Sequence, residues 1–171
     1  MVLSFIEDDR KFNYRVAAIA IQNGHVLVCR EDDQDYVFLP GGRVEFGERS
    51  DLALEREIRE ELNCEGEIGA LVFSVENFFE LEGENFHELA KYYRLTLPKE
   101  FPFETGKPCL LSHDEGHELR FYWIEIGTGS LEKINLLPLW IRERLADLPL
   151  KTENLIMDEC LLADSYCKSG P

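Results

Sequence analysis

Residues 41–64, GGRVEFGERSDLALEREIREELNC, constrain this chain more than any other segment. Strong helix formers run through residues 51–62, and Leu54, Ile58 and Leu62 recur every four residues. At about 100° per residue that spacing makes one apolar stripe, so a helix with one face on a core is expected over residues 51–62. Ser50 is placed to cap its start, and Asn63 tolerates the left-handed backbone that ends helices. Glu57, Glu60 and Glu61 share a second sector of the same helix. Like charges at i, i+3 and i+4 destabilise a helix by a few tenths of a kcal/mol, so something must offset them.

Two arrangements would do so. One is a solvated helix face with Arg56 and Arg59 as counter-ions. The other is a hard divalent cation, which prefers oxygen ligands and shares its shell with phosphates. The preceding loop favours the second. Gly41, Gly42 and Gly47 let the backbone bend and approach a ligand, and Glu45 and Glu48 add two carboxylates beside the helix. A generic surface helix has no need of those glycines.

Around this segment the chain reads as alternating strands and helices. Residues 12–21 and 25–30 are apolar strands joined at Asn23-Gly24, a tight-hairpin signal. Residues 36–39 form a short strand that ends at Pro40. Strands are expected over 67–79, 88–97 and 119–126, with a turn at Glu82-Gly83-Glu84 and a loop over 98–112. A second helix is expected over 136–145, entered through Pro138. This order predicts an α+β chain with a mixed sheet covered by helices. A single domain over 1–171 is expected, with its core at about 12–148 and a C-terminal extension over 149–171.

With these elements in place, the central segment resembles the Nudix box, G-x5-E-x7-R-E-U-x-E-E-x-G-U, where U is bulky and apolar. Gly42, Glu48, Arg56, Glu57, Ile58, Glu60 and Glu61 fill its positions, and Gly41, Glu45 and Gly47 fill the common extension. Asn63 replaces the last glycine and Cys64 the last apolar residue. Both replacements fall at structural positions, not at acids. The resemblance implies an α/β/α sandwich and a hydrolase of a nucleoside diphosphate linked to another moiety. It implies Mg2+ or Mn2+ held by Glu57, Glu60 and Glu61, with the Gly41 carbonyl as a further ligand. It gives Arg56 the orienting of the acids, and Gly42, Glu45 and Glu48 a supporting role. Glu57 or Glu60 is a candidate general base, as are Glu115 and Glu118 in HDEGHEL.

Two other activities share this fold: isomerisation of isopentenyl diphosphate, and nucleotide sensing without cleavage. The cysteine and glutamate surroundings of the first have no match here, and the second usually loses box acids that this chain keeps. The family's proline and tyrosine markers for ADP-ribose and dinucleoside polyphosphates are missing at residues 78–81, as is the NADH-type array. That favours nucleoside triphosphates, oxidised ones included.

The remaining composition narrows partners. A net charge of −16 without a basic stripe argues against free nucleic acid, though a bridging cation still permits phosphates. The acidic start and the lack of a long apolar run argue against export and a membrane span, so a cytoplasmic protein is expected. Five cysteines without a CxxC pair suit reduced thiols. The resemblance adds a homodimer as the expected assembly.

Overall fold

The computed structural model describes residues 1–127 and 129–159. Among them, β1 (Ser4–Glu7), β2 (Arg10–Ile19), β3 (Ile21–Gln22) and β4 (His25–Glu31) precede helix α1 (Ser50–Leu62). Then follow β5 (Glu67–Leu81), β6 (Glu84–Thr96), β7 (Leu110–Asp114), β8 (His117–Glu125), the single helical turn α2 (Ser130–Lys133) and β9 (Glu153–Asp158). The strands form a five-stranded mixed sheet in the order β1-β2-β6-β5-β9 and a four-stranded antiparallel sheet in the order β3-β4-β8-β7. This is the α+β sandwich expected. β2 runs parallel to β6, and β9 parallel to β5. β9 thus comes from the segment assigned to the C-terminal extension.

Alternation along β2 explains the layers. Val16 and Ala18 face a core with Leu54, Ile58 and Leu62 of α1, while Ala17 and Ile19 face a second core with Phe73, Tyr92, Leu136 and Ile141. The strands are therefore buried on both faces and read as continuous apolar runs. Helix α1 covers one side. Residues 131–145 cover the other.

That second cover differs from the expected helix over 136–145. It holds only a 3-10 turn, Leu139–Ile141. Its first residues are spent on a bridge to the 36–39 segment: the Leu137 amide donates to the Val37 carbonyl at 2.8 Å, and the Val37 amide to the Asn135 carbonyl at 3.2 Å. Pro138 offers no amide to a helix. The apolar residues still reach the core, since Leu136, Ile141 and Leu145 are buried. Residues 36–39 are likewise not a full strand and make only the bridges Val37↔Leu136 and Cys29↔Phe38.

Two local expectations also change. Ser50 does not cap α1; its hydroxyl lies 2.7 Å from the Tyr93 hydroxyl, and Arg49 occupies the cap position without a side-chain capping bond. HDEGHEL, which the expected elements left unassigned before residue 119, forms the hairpin β7–β8, turning at Glu115 and Gly116 with φ of 46° and 91°. Asn63 does end α1 in the left-handed region, at φ 50° and ψ 38°. Cys29, Cys64 and Cys109 are free thiols, while Cys160, Cys167 and residues 168–171 lie outside the described residues. No described helix is long and apolar enough to cross a membrane.

Candidate functional site

The glycine loop is held by β2. The Val16 amide donates to the Gly42 carbonyl at 2.9 Å, Ala18 to Pro40 at 2.8 Å, and Val44 to Tyr14 at 3.0 Å. The loop thus lies against the strand as an extra, irregular partner. Its two glycines are needed for different reasons. At Gly41, φ is 133° and a Cβ would meet the Val16 carbonyl oxygen at 2.3 Å. At Gly42, a Cβ would meet the Glu57 carboxyl carbon at 2.4 Å. Gly42 is therefore the seat of the Glu57 carboxylate.

Helix α1 delivers the acids to this loop. Glu57 and Glu61 lie on its buried side at 8% and 5% exposure, beside Ala53, Leu54 and Ile58. Glu60 stays open to solvent. The Gly41 amide donates to Glu61 Oε2 at 2.9 Å. Burial nevertheless pushes the Glu61 carboxyl up to about 8, with Glu57 and Asp114 adding repulsion. Burial raises Glu57 as well, against the pull of Arg56.

Arg56 ties the acids together. Its Nε and Nη2 each bond Glu48 at 3.0 Å, and its Nη1 reaches Glu57 at 2.8 Å and Glu60 at 3.1 Å. Nη2 also donates to the Arg43 carbonyl at 3.2 Å. One planar cation thus serves three carboxylates, as its fork geometry allows. Glu48 is held well below the usual carboxylate range by this pairing. Glu45 instead faces the N-terminus: its carboxylate accepts from the Met1 ammonium, and its amide donates to Glu48.

The later acids are placed differently. Glu118 pairs with Arg120, and Glu115 sits at the hairpin turn. The acid of that hairpin whose charge is felt at Glu61 is Asp114, which the sequence reading passed over. It shares a strand face with Leu110 and Ser112, and Leu110 packs on the α1 core. His117 bonds Asp32 at 2.7 Å. Among the described residues, Glu31, Asp32 and His117 are the acid–imidazole group whose ligand atoms all lie within 4.8 Å. Both Asp32 oxygens already accept bonds, from His117 and the Glu118 amide. The carboxylates of Glu57, Glu60 and Glu61 do not close to that spacing; Arg56 stands between the first two.

Sequence reading also missed Arg15. Its Nη2 donates to the Gly41 carbonyl at 3.2 Å and to the Leu39 carbonyl at 3.3 Å, and its guanidinium lies 5.2 Å from the Phe38 ring centre. Arg15 also lines a cavity of about 300 Å³ between the five-stranded sheet and residues 36–39, and so links the glycine loop to it. Lys11 and Arg43 line the same cavity, so three cations stand there beside Glu31, Glu80, Glu82, Glu84, Glu88 and Glu159. Of the strand aromatics, Tyr36, Phe38 and Phe79 reach the cavity, Tyr92 borders both it and the core, and Tyr93 is core. Phe78 packs on His87, whose ring centre is 4.5 Å away. The missed signal was periodic: Lys11, Asn13 and Arg15 occupy one face of β2, where a buried strand would carry apolar residues.

The site can be tested for a cation on these residues alone. The donors are all oxygen, two carboxylates are buried, and Gly42 leaves room for Glu57 where any side chain would displace it. A hard divalent ion fits that set.

The family model described as the NUDIX domain matches residues 11–136. A search of curated proteins returns no match. Among solved structures, a NUDIX hydrolase from Nitrosomonas europaea is similar at 18% identity and TM-score 0.56, covering 85% of this chain and 78% of that one. A MutT protein from Bacillus halodurans is similar at 17% identity and TM-score 0.51, covering 83% and 89%. An ADP-ribose pyrophosphatase from Streptococcus suis is similar at 12% identity and TM-score 0.50, covering 84% and 98%. At these identities the likeness is one of fold.

Proposed function

This chain belongs to the NUDIX domain family, and on that premise we propose that it is a metal-dependent pyrophosphohydrolase of nucleotides. The observation that carries the reading is the seating of buried Glu57 on Gly42, with Arg56 joining Glu57 to Glu48 and Glu60. Glu57, Glu60 and Glu61, with the Gly41 carbonyl, would hold Mg2+ or Mn2+. Bound there, the ion supplies neutralisation of phosphate oxygens and activation of water.

The remaining roles belong to the chain itself. Arg56 and Glu48 hold the carboxylates in register, and Gly42 and Glu45 keep the loop in place. Arg15 and Arg43 offer positive charge to a phosphate chain, and the aromatic walls of the cavity suit a nucleoside. Glu57 or Glu60 takes the water proton in this reading. Glu118, tied to Arg120, and Glu115, at the hairpin turn, are the alternative bases. The substrate is read as a nucleoside triphosphate or a related nucleotide, and the chain as a cytoplasmic homodimer with one domain.

The test is a panel of nucleoside triphosphates, ADP-ribose and nucleotide sugars with Mg2+ or Mn2+. Phosphoanhydride cleavage of at least one compound, lost with EDTA, is expected. Absence of cleavage across the panel with both ions would sink the proposal.

A further inference from the structure

One end of the cavity is polar in a way that phosphoanhydride cleavage does not require. The register of β2, β6 and β5 aligns Asn13, Glu88 and Asn77 in one row across the sheet. All three are buried, at 6%, 6% and 1% exposure. Among the described residues, Asn13 Oδ1 has no hydrogen-bond partner, and neither does Oδ1 or Nδ2 of Asn77. Asn13 and Glu88 line the cavity directly, as does Glu159, whose Oε1 accepts the Trp140 amide at 3.1 Å. Buried polar atoms are almost always paired, so the unpaired Asn13 Oδ1 on the cavity wall calls for a partner that enters it.

The chemistry of that partner can be read from what is offered. The cavity end presents acceptors: the free Asn13 Oδ1, and the carboxyl groups of Glu88, which the Asn13 side chain also bonds, and of Glu159. Its walls are aromatic, from Phe38 and Phe79, and Arg15 and Arg43 on its lining suit an anionic tail, whereas Lys11 is paired with Glu84. The complement is a flat ring with adjacent N–H donors and a phosphate. Among the bases, adenine and cytosine each pair one amino group with a neighbouring ring acceptor, which would oppose Glu88. Uracil and thymine flank one N–H with two carbonyls. Guanine alone places an imino and an amino donor side by side, which a carboxylate can accept through both oxygens.

We propose that Glu88 and Asn13 read the imino–amino edge of guanine, making the nucleotide taken by this chain a guanosine nucleotide. The proposal rests on the nucleotide reading above but names residues outside the metal-binding acids. Glu88 supplies the paired acceptor, Asn13 Oδ1 takes the outer amino hydrogen, and Asn77 backs Glu88 in the same row.

The test is calorimetric binding of GMP, IMP and AMP to the full chain with Mg2+. None of the three has a phosphoanhydride bond, so binding is measured apart from hydrolysis. IMP differs from GMP by the amino group alone. Loss of a hydrogen bond to a charged acceptor predicts that GMP binds roughly 10- to 100-fold more tightly than IMP. AMP should also bind more weakly than GMP. In E88Q the GMP-to-IMP ratio should fall towards one, and N13A should lower it in part. Equal affinity for GMP and IMP in the unsubstituted chain overturns the proposal, whatever the variants do. So does tighter binding of AMP, or no GMP binding at millimolar concentration. Triphosphate cleavage without base preference would defeat this inference and keep the hydrolase. GMP preference with no cleavage of any nucleotide would do the reverse.

Discussion

The Arg56 guanidinium holds Glu48 through two parallel bonds of 3.0 Å, eight residues back along the chain. The same side chain reaches Glu57 and Glu60 through its remaining nitrogen. A lysine cannot reproduce this fork. Arg56→Lys should therefore keep the fold and loosen the acids, cutting apparent metal affinity or turnover by about 10- to 100-fold, the usual cost of losing an outer-shell partner. Titrating activity with Mg2+ checks it; an unchanged half-saturating concentration and rate would show that Arg56 is an ordinary surface pairing.

The adjacent glycines should behave differently from each other. In Gly42→Ala the new methyl group meets the end of the Glu57 side chain, which can swing aside. Activity should fall steeply while thermal stability changes little. In Gly41→Ala the methyl group meets backbone at Val16, at a φ that L-residues avoid. Backbone strain of that kind costs about 1–3 kcal/mol, so the melting temperature should drop. Melting curves for the pair decide; equal destabilisation would contradict the seating of Glu57 on Gly42.

Burial raises Glu61 from its ordinary value to about 8, so the metal-free protein carries a proton there that the unfolded chain has lost. The folded state binds more protons between the two values, and stability falls as pH rises. This contribution is full below about 4.5 and gone above about 8. In EDTA, the melting temperature should decline across that window, and Glu61→Gln should flatten the decline. Metal must displace the same proton, so Mg2+ should stabilise more at pH 8 than at pH 6. A Mg2+ effect independent of pH would argue against Glu61 as a ligand.

Much of this was legible because local chemistry and fold agreed. The stripe Leu54, Ile58, Leu62 predicts α1, and the structure buries it. Asn63 ends the helix as its backbone tolerance suggests. The acids were visible because their spacing follows from helix geometry alone. Residues 136–145 misled because their apolar pattern records burial, while the local backbone is committed to Val37. The cavity was illegible for a related reason. Asn13, Arg15 and Glu88 come together only through the parallel β2–β6 register, a long-range pairing that no local spacing reveals. Asp114 was hidden by the turn at Glu115–Gly116, which folds HDEGHEL back as a hairpin beside α1.

The most direct test compares Glu60→Gln with Arg59→Gln on whichever nucleotide the panel identifies. Glu60 is exposed, so the change removes a charge and no packing, and stability should stay within about 0.5 kcal/mol. Among the described residues, Arg59 bonds Glu55 and Glu65, away from the glycine loop. Initial rates in Mg2+ should fall by orders of magnitude for Glu60→Gln and change little for Arg59→Gln. Near-normal turnover by a folded Glu60→Gln would contradict the account and leave the three carboxylates as a solvated, salt-bridged helix face.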